Sequence, residues 1–135
     1  MFLIDTNVWL ELLLMQEKAD EVHKFFMNID ANFLSITDFS LYSIGIILTR
    51  LKKDELFRSF ISDTIEDSNV RIVRLNTNDL KYLTTICHKY QFDFDDAYQY
   101  VASEKHELIF VSFDGDFDRT DRKRRTPLEA LKDLA

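Results

Sequence analysis

Asp5 follows Phe2-Leu3-Ile4 without a spacer, so a charge stands at the end of a run that reads as a buried strand. Burying a carboxylate without partners costs on the order of several kcal/mol. Asp114 stands in the same relation to the apolar run LIFVSF, residues 108–113, and Asp116 lies two positions further on, across Gly115. A third acidic group, Asp93, Asp95 and Asp96, precedes a stretch whose Ala97 and Val101 share one helical face. Ionised carboxylates brought together repel and raise one another's pKa, so a cluster of them calls for a cation. Oxygen donors select hard ions such as Mg²⁺ or Mn²⁺, which keep several waters and take one or two carboxylates. Such an ion acidifies bound water and neutralises charge developing on a phosphoryl group. Taken singly, the segments have plainer readings. Asp93 suits a helix N-cap with Asp96 at the third helical position, and Asp114-Gly115 suits an ordinary turn in which the glycine frees the backbone.

These carboxylates converge only if the chain folds in one particular way. FLI (2–4) and LIFVSF (108–113) are short and continuously apolar, the pattern of parallel strands covered on both faces, and NFLSI (32–36) and VRIVRL (70–75) are weaker strands. Between them, helical periodicity covers 7–30, 37–67 with a break near Lys53, 77–91 and 95–106, with Thr77 or Asn78 as cap of the third and Asp93 of the fourth. Strands alternating with helices predict an α/β domain, its parallel sheet carrying helices on both faces. In such sheets ligands bind beyond the carboxyl ends of the strands, where Asp5 and Asp114 both emerge.

Composition narrows the field. A chain of 135 residues, 46% hydrophobic and 30% charged, reads as one globular domain spanning 1–135. No apolar run approaches the roughly 20 residues of a membrane span and no signal peptide is present, which predicts a cytoplasmic protein with no membrane partner. With one cysteine, Cys87, and three scattered histidines there is neither an intramolecular disulfide nor a zinc-ligand spacing. Two glycines and one proline leave few ordinary turn residues, so the chain is mostly helical with brief connections. The net charge of −7 argues against non-specific coating of nucleic acid. A local basic surface exists all the same: Arg119, Arg122, Lys123, Arg124 and Arg125 fall within seven positions.

The order D-T-N-V at Asp5–Val8, D-A at Asp96–Ala97 and V-S-F-D-G-D-F at Val111–Phe117 resembles the PIN domain family, as does the T-P-L-E-A-L tail at Thr126–Leu131. The resemblance runs over nearly the whole chain. It implies a three-layer α/β/α domain with a central parallel sheet of four to five short strands. A single domain of this length is most similar to VapC-type toxins of toxin–antitoxin pairs, which are Mg²⁺- or Mn²⁺-dependent endoribonucleases restrained by a small antitoxin. Carried onto this sequence, the resemblance makes Asp5, Asp96 and Asp114 metal ligands and Asp116 an accessory catalytic acid. Thr6 and Asn7 then orient Asp5 by hydroxyl and amide hydrogen bonds, and Ser112 supplies a hydroxyl near Asp114. Asp95 adjoins the motif without falling on it.

One position departs from the family pattern. The helix after the second strand usually carries a glutamate, in a stretch like S-x-x-T-L-x-E-L; here Thr37–Ile44 reads TDFSLYSI, which puts Ser43 in its place. Serine can hold a metal-bound water but adds no charge. Asp38 lies five residues away, about 140° around and 7.5 Å along a helix, so it does not replace Ser43. It or Thr37 suits an N-cap, and Glu11 is a more remote substitute.

The implied reaction is hydrolysis of an RNA phosphodiester, tRNA or rRNA among the candidates, by a metal-activated water. The basic run 119–125 would clamp flanking phosphates, with Lys52, Lys53 and Arg58 as a second contact. Tyr98 and Tyr100 flank the acidic helix start and are candidates to stack on an unpaired base. LELLLM at Leu10–Met15 surrounds most of a helix with apolar side chains, which suggests a homodimer or an antitoxin groove, with Trp9, Phe25 and Phe26 as anchors or core. Phosphatases of the haloacid dehalogenase type need D-x-D where this chain has Asp5-Thr6-Asn7. A response-regulator receiver needs an acidic pair at its start and a late lysine after a strand. The remaining rival is a PIN-like domain that lost efficient cleavage with its glutamate and binds RNA or protein instead.

Overall fold

The computed structural model describes residues 1–134. Four short strands, β1 (Phe2–Ile4), β2 (Leu34–Thr37), β3 (Arg71–Val73) and β4 (Ile109–Val111), form one parallel sheet in the order β3-β2-β1-β4. A parallel bridge from Val111 to Arg125 adds a single residue beside β4 at the sheet edge. Helices α1 (Thr6–Leu13) and α2 (Ala19–Met27) connect β1 to β2, and α3 (Asp38–Arg50) and α4 (Asp54–Phe60) connect β2 to β3. The last of these runs on into a π-helical turn, Ile61–Asp67. Helices α5 (Thr77–Tyr90) and α6 (Phe94–Lys105) carry the chain back across the sheet to β4, and α7 (Pro127–Asp133) follows.

Alternation along β1 explains the two-sided core. Phe2 and Ile4 pack with Val8, Phe25, Ile36, Ile44 and Leu48 on one face, while Leu3 packs with Leu83, Ile86, Val101, Phe110 and Phe117 on the other. Both faces are dry along β1, which is why that strand is continuously apolar rather than alternating, whereas the edge strand β3 is exposed at Arg71 and Ile72. Trp9 and Phe25 are core residues, not exposed anchors, and Leu10, Leu12, Leu13 and Leu14 pack partly buried against the same cluster.

The expected helix 7–30 is two helices. The chain turns at Leu14–Lys18, where Met15 adopts φ 51° and the Glu11 carboxylate accepts from the Lys18 amide at 2.7 Å. No glycine or proline announces this corner. The same device recurs at Lys52, Asn69, Gln91, Glu107 and Lys123, all with positive φ, whereas neither glycine has one. Brief connections are thus made by side-chain-bearing residues in the left-handed region, at about 1–2 kcal/mol each unless neighbours compensate. The α5 cap also differs from expectation: Asn76, not Thr77 or Asn78, accepts from the Asp79 amide, and Asp79 returns the bond to complete a capping box. The break near Lys53 falls where expected, between α3 and α4. Among the described residues, no helix is long and apolar enough to cross a membrane.

Candidate active site

The strand order places the site. The chain builds outward from β1 through β2 to β3 and returns to add β4 on the other side of β1, so the connections leave the sheet in opposite directions between β1 and β4. A crevice opens beyond the carboxyl ends of strands at such a switch point. Asp5 ends β1 there, its amide donating to the Val111 carbonyl at 2.9 Å, and Ser112 and Asp114 follow β4.

Asp5 is 7% exposed and caps α1. Its Oδ1 accepts from the Thr6 amide (2.8 Å) and from Gln99 Nε2 (2.9 Å), and its Oδ2 accepts from Ser112 Oγ (2.7 Å) and Asn7 Nδ2 (3.3 Å). All four donors are neutral. Burial raises the Asp5 pKa against the lowering effect of these bonds, and the charge of Asp114 adds to the rise. Asn7 acts as expected and also ties the β4 end in place, its Oδ1 accepting from the Phe113 amide at 3.2 Å. Thr6 differs from expectation: its backbone amide holds Asp5, while its hydroxyl donates to Ser40 Oγ at 2.7 Å.

A cavity of about 330 Å³ collects Asp5, Asp95, Asp96 and Asp114, with Asn7, Ser43, Gln99, Leu10, Phe39 and Ile47 completing most of its lining. Asp96 is half-buried and its pKa is pushed up to about 7, first by burial and then by Asp95, Asp114, Asp5 and Asp93. Among the described residues, no Lys or Arg forms an ion pair with Asp5, Asp95, Asp96 or Asp114. Nor do three carboxyl, imidazole or thiol groups there stand close enough to ligate one ion directly. The donor set therefore suits a hard cation that keeps waters between itself and some of the carboxylates.

Ser43 lines this cavity and brings a hydroxyl but no charge to it. Asp38 is elsewhere: it accepts from the Tyr98 hydroxyl at 2.6 Å and pairs with Arg74 at 3.7 Å, while Thr37 caps α3 through the Ser40 amide at 2.9 Å. Glu11 is committed to the Lys18 corner and does not line the cavity. Asp93 occupies the N-cap position of α6, but its side chain makes no capping bond. Asp114 caps a 3₁₀ turn, Gly115–Arg119, by accepting from the Asp116 amide at 2.9 Å. Gly115 has no positive φ, so the turn does not depend on glycine as expected. Asp116 is exposed, faces Arg119 at 3.4 Å and does not line the cavity.

Sequence reasoning missed Gln99, which is 3% exposed. Its Nε2 donates to Asp5 Oδ1 and to Ser40 Oγ (2.7 Å), and its Oε1 accepts from Thr37 Oγ1 (2.8 Å). One amide thereby locks β2, α3 and α6 onto Asp5. The available signal was an amide three residues after Asp96, on a stretch that is otherwise apolar toward the core. Asp95, set aside as off the motif, also reaches the cavity.

The basic run is largely engaged within the fold. Arg119 donates to the Tyr90 carbonyl at 2.7 and 3.2 Å and lies over the Phe92 ring. Arg122 donates to the Ser103 and Leu108 carbonyls, Arg124 to both oxygens of Asp118 and to the Ser112 carbonyl, and Arg125 to Asp133. Arg122, Lys123 and Arg125 line a separate cavity of about 380 Å³ together with Glu107, Asp121 and Asp133, and none of the three reaches the carboxylates. Lys52 and Lys53 lie past the far end of α3, about 20 Å along the helix from its site end, and Arg58 pairs with Glu55.

The PIN domain model matches residues 2–123, and the chain belongs to the PIN domain family. A comparison with curated proteins finds no match. Among solved structures, a FitAB complex bound to an IR36 DNA fragment is similar at 16% identity and a TM-score of 0.81, covering 95% of this chain and 96% of its own. A toxin–antitoxin complex from Klebsiella pneumoniae is similar at 14% identity and 0.75, covering 96% of this chain and 99% of its own. VapC20 of Mycobacterium tuberculosis, a toxin that cleaves the sarcin–ricin loop, is similar at 15% and 0.75, covering 87% and 93%. At these identities the likeness is one of fold.

Proposed function

We propose that this protein is a divalent-cation-dependent endoribonuclease, the toxin of a toxin–antitoxin pair. The observation that carries this reading is the convergence of Asp5, Asp96 and Asp114 on one switch-point cavity with no cationic partner among the described residues. Membership of the PIN family supports it, as do the toxin–antitoxin and RNA-cleaving descriptions of proteins that share the fold.

Asp5 and Asp114 would hold a Mg²⁺ or Mn²⁺ ion, with Asp96 directing water. Bound there, the ion would acidify water and neutralise the phosphoryl oxygens of the scissile group. Each residue has its own part. Asp5 keeps its orientation through four neutral donors; the longest bond, from Asn7, is the one free to yield, because Asn7 Nδ2 also reaches Ser112 Oγ at 3.2 Å. Asp96, with its raised pKa, accepts a proton from attacking water near neutral pH. Ser43 contributes a hydroxyl where the family has charge, and Asp95 supplies an acid on another wall of the same cavity. Arg119, half-exposed beside Asp116, is the member of the basic run assigned to a flanking phosphate, with Asp116 holding its guanidinium. We assign Arg122, Arg124 and Arg125 to the fold, and Lys123 remains available as a secondary phosphate contact.

RNA is the substrate, tRNA and rRNA being the first classes to test. A small antitoxin would restrain the toxin, which would act in the cytoplasm as a homodimer. Ser43 favours a second reading, in which the domain binds RNA and cuts it poorly. Cleavage of total tRNA and rRNA in Mn²⁺ and Mg²⁺, beside Asp5→Asn and an EDTA control, separates the two. Discrete cuts that need metal and vanish in the variant support the nuclease; metal-dependent RNA binding without cuts supports the binding module.

A further inference from the structure

The tyrosines expected to meet a base are unavailable. Tyr100 is buried against Tyr90, and Tyr98 is buried with its hydroxyl bonded to Asp38 and to the Leu75 amide. The aromatic that is exposed at this place is Phe94, the first residue of α6, at 51%. It sits between acids that sequence reasoning took for caps, where an apolar ring has no capping role.

Phe94 is supported from within. Its ring centroid lies 6.1 Å from that of Phe39 and 6.2 Å from that of Tyr98, and Phe39 and Tyr98 are 5.3 Å apart. Phe39 also lines the carboxylate cavity, so the aromatic cluster and the acids share a wall. Arg74 joins this cluster on its Tyr98 side: it leaves the carboxyl end of β3 with its side chain 71% exposed and pairs at 3.7 Å with the same Asp38 that accepts from the Tyr98 hydroxyl. An open ring face with a loosely held guanidinium is the pairing that binds single-stranded nucleic acid: a base stacks, and a phosphate meets the cation.

We propose that Phe94 and Arg74 form a nucleotide subsite beside the carboxylate cavity, which takes one unpaired RNA base and its phosphate and directs the protein to looped or single-stranded RNA. The inference rests on the reading that RNA is the substrate. A duplex offers no free base face, so the subsite discriminates against paired RNA by stacking alone.

The test is the affinity of labelled decauridine and decaadenosine, and of a 10-base-pair RNA duplex, measured by fluorescence anisotropy in Ca²⁺. The expected result is that Phe94→Ala weakens single-strand binding roughly 5- to 100-fold, the loss of about one base–aromatic stack, and leaves duplex binding unchanged. Phe94→Trp retains wild-type affinity, and Arg74→Gln reduces the salt slope by about one. Single-strand binding equal to wild type in Phe94→Ala overturns the proposal, including the case where that variant loses affinity only for a protein partner. The two readings separate in Mn²⁺. Phe94-dependent binding without any cleavage leaves the subsite and removes the nuclease. Cleavage of looped RNA that Phe94→Ala leaves unchanged does the opposite.

Discussion

The acidic cluster Asp5, Asp96 and Asp114 and the basic run at 119–125 are treated in opposite ways by the fold. Arg122, Arg124 and Arg125 each find a carbonyl or carboxylate acceptor, so their charge is spent on joining the 3₁₀ turn, the α6 end and the β4 edge. Among the described residues, Asp5, Asp96 and Asp114 have only neutral donors and one another. Compensated charge serves the fold, and charge left uncompensated at a switch-point crevice serves a ligand. Each variant below tests whether that division holds.

The largest effect falls on Asp5. Asp5→Asn keeps the shape and removes the charge, and lowers metal-dependent RNA cleavage by more than the roughly 10- to 100-fold typical of losing an outer partner of a metal ligand. Single-turnover rates on a cleaved RNA check this. Gln99→Leu comes next: it leaves Asp5 Oδ1 with one donor fewer and Thr37 Oγ1 without its acceptor, and weakens Mn²⁺ binding about 10- to 100-fold, read by calorimetry.

Arg122→Ala should move the other side of the comparison. It removes charge-assisted bonds to the Ser103 and Leu108 carbonyls and lowers stability by about 1.5–3 kcal/mol in urea unfolding, with cleavage by the folded fraction unchanged. A loss of RNA affinity at unchanged stability would instead return Arg122 to the substrate surface.

The smallest effect is a pH slope. Asp96 titrates near 7 and Asp5 is also raised, so the folded protein holds protons that the unfolded chain releases above about pH 4. Metal-free stability is then greatest at the acid end of that window and falls as pH rises from about 4 through 7. Asp79, held low first by the Lys105 ammonium and then by its capping bond, and Glu129, held low by its capping bond to Thr126, act in the opposite sense and only as pH falls below the ordinary carboxylate range. Thermal melts in EDTA at pH 5 and 8 measure the slope, and Mg²⁺ should flatten it by stabilising the protein at pH 8.

Much of this was legible in the sequence, because the signals were local. Continuous apolar runs marked β1 and β4, and the carboxylates at their ends marked the site. What escaped depended on tertiary partners. The corner at Met15 is enforced by Glu11 and by packing on α2, without a glycine to announce it. Gln99 looks like a helical surface residue until Asp5, Ser40 and Thr37 surround it. The basic run read as a phosphate clamp because most of its acceptors are backbone carbonyls, which any sequence supplies and none displays.

Calorimetric titration of Mn²⁺ into wild type, Asp5→Asn and Asp96→Asn tests the central claim most directly. The account predicts binding to wild type that strengthens as pH rises through about 7 and is lost or greatly weakened in both variants. Equal binding in all three, or none in wild type at pH 8, would contradict a cation site built from these carboxylates.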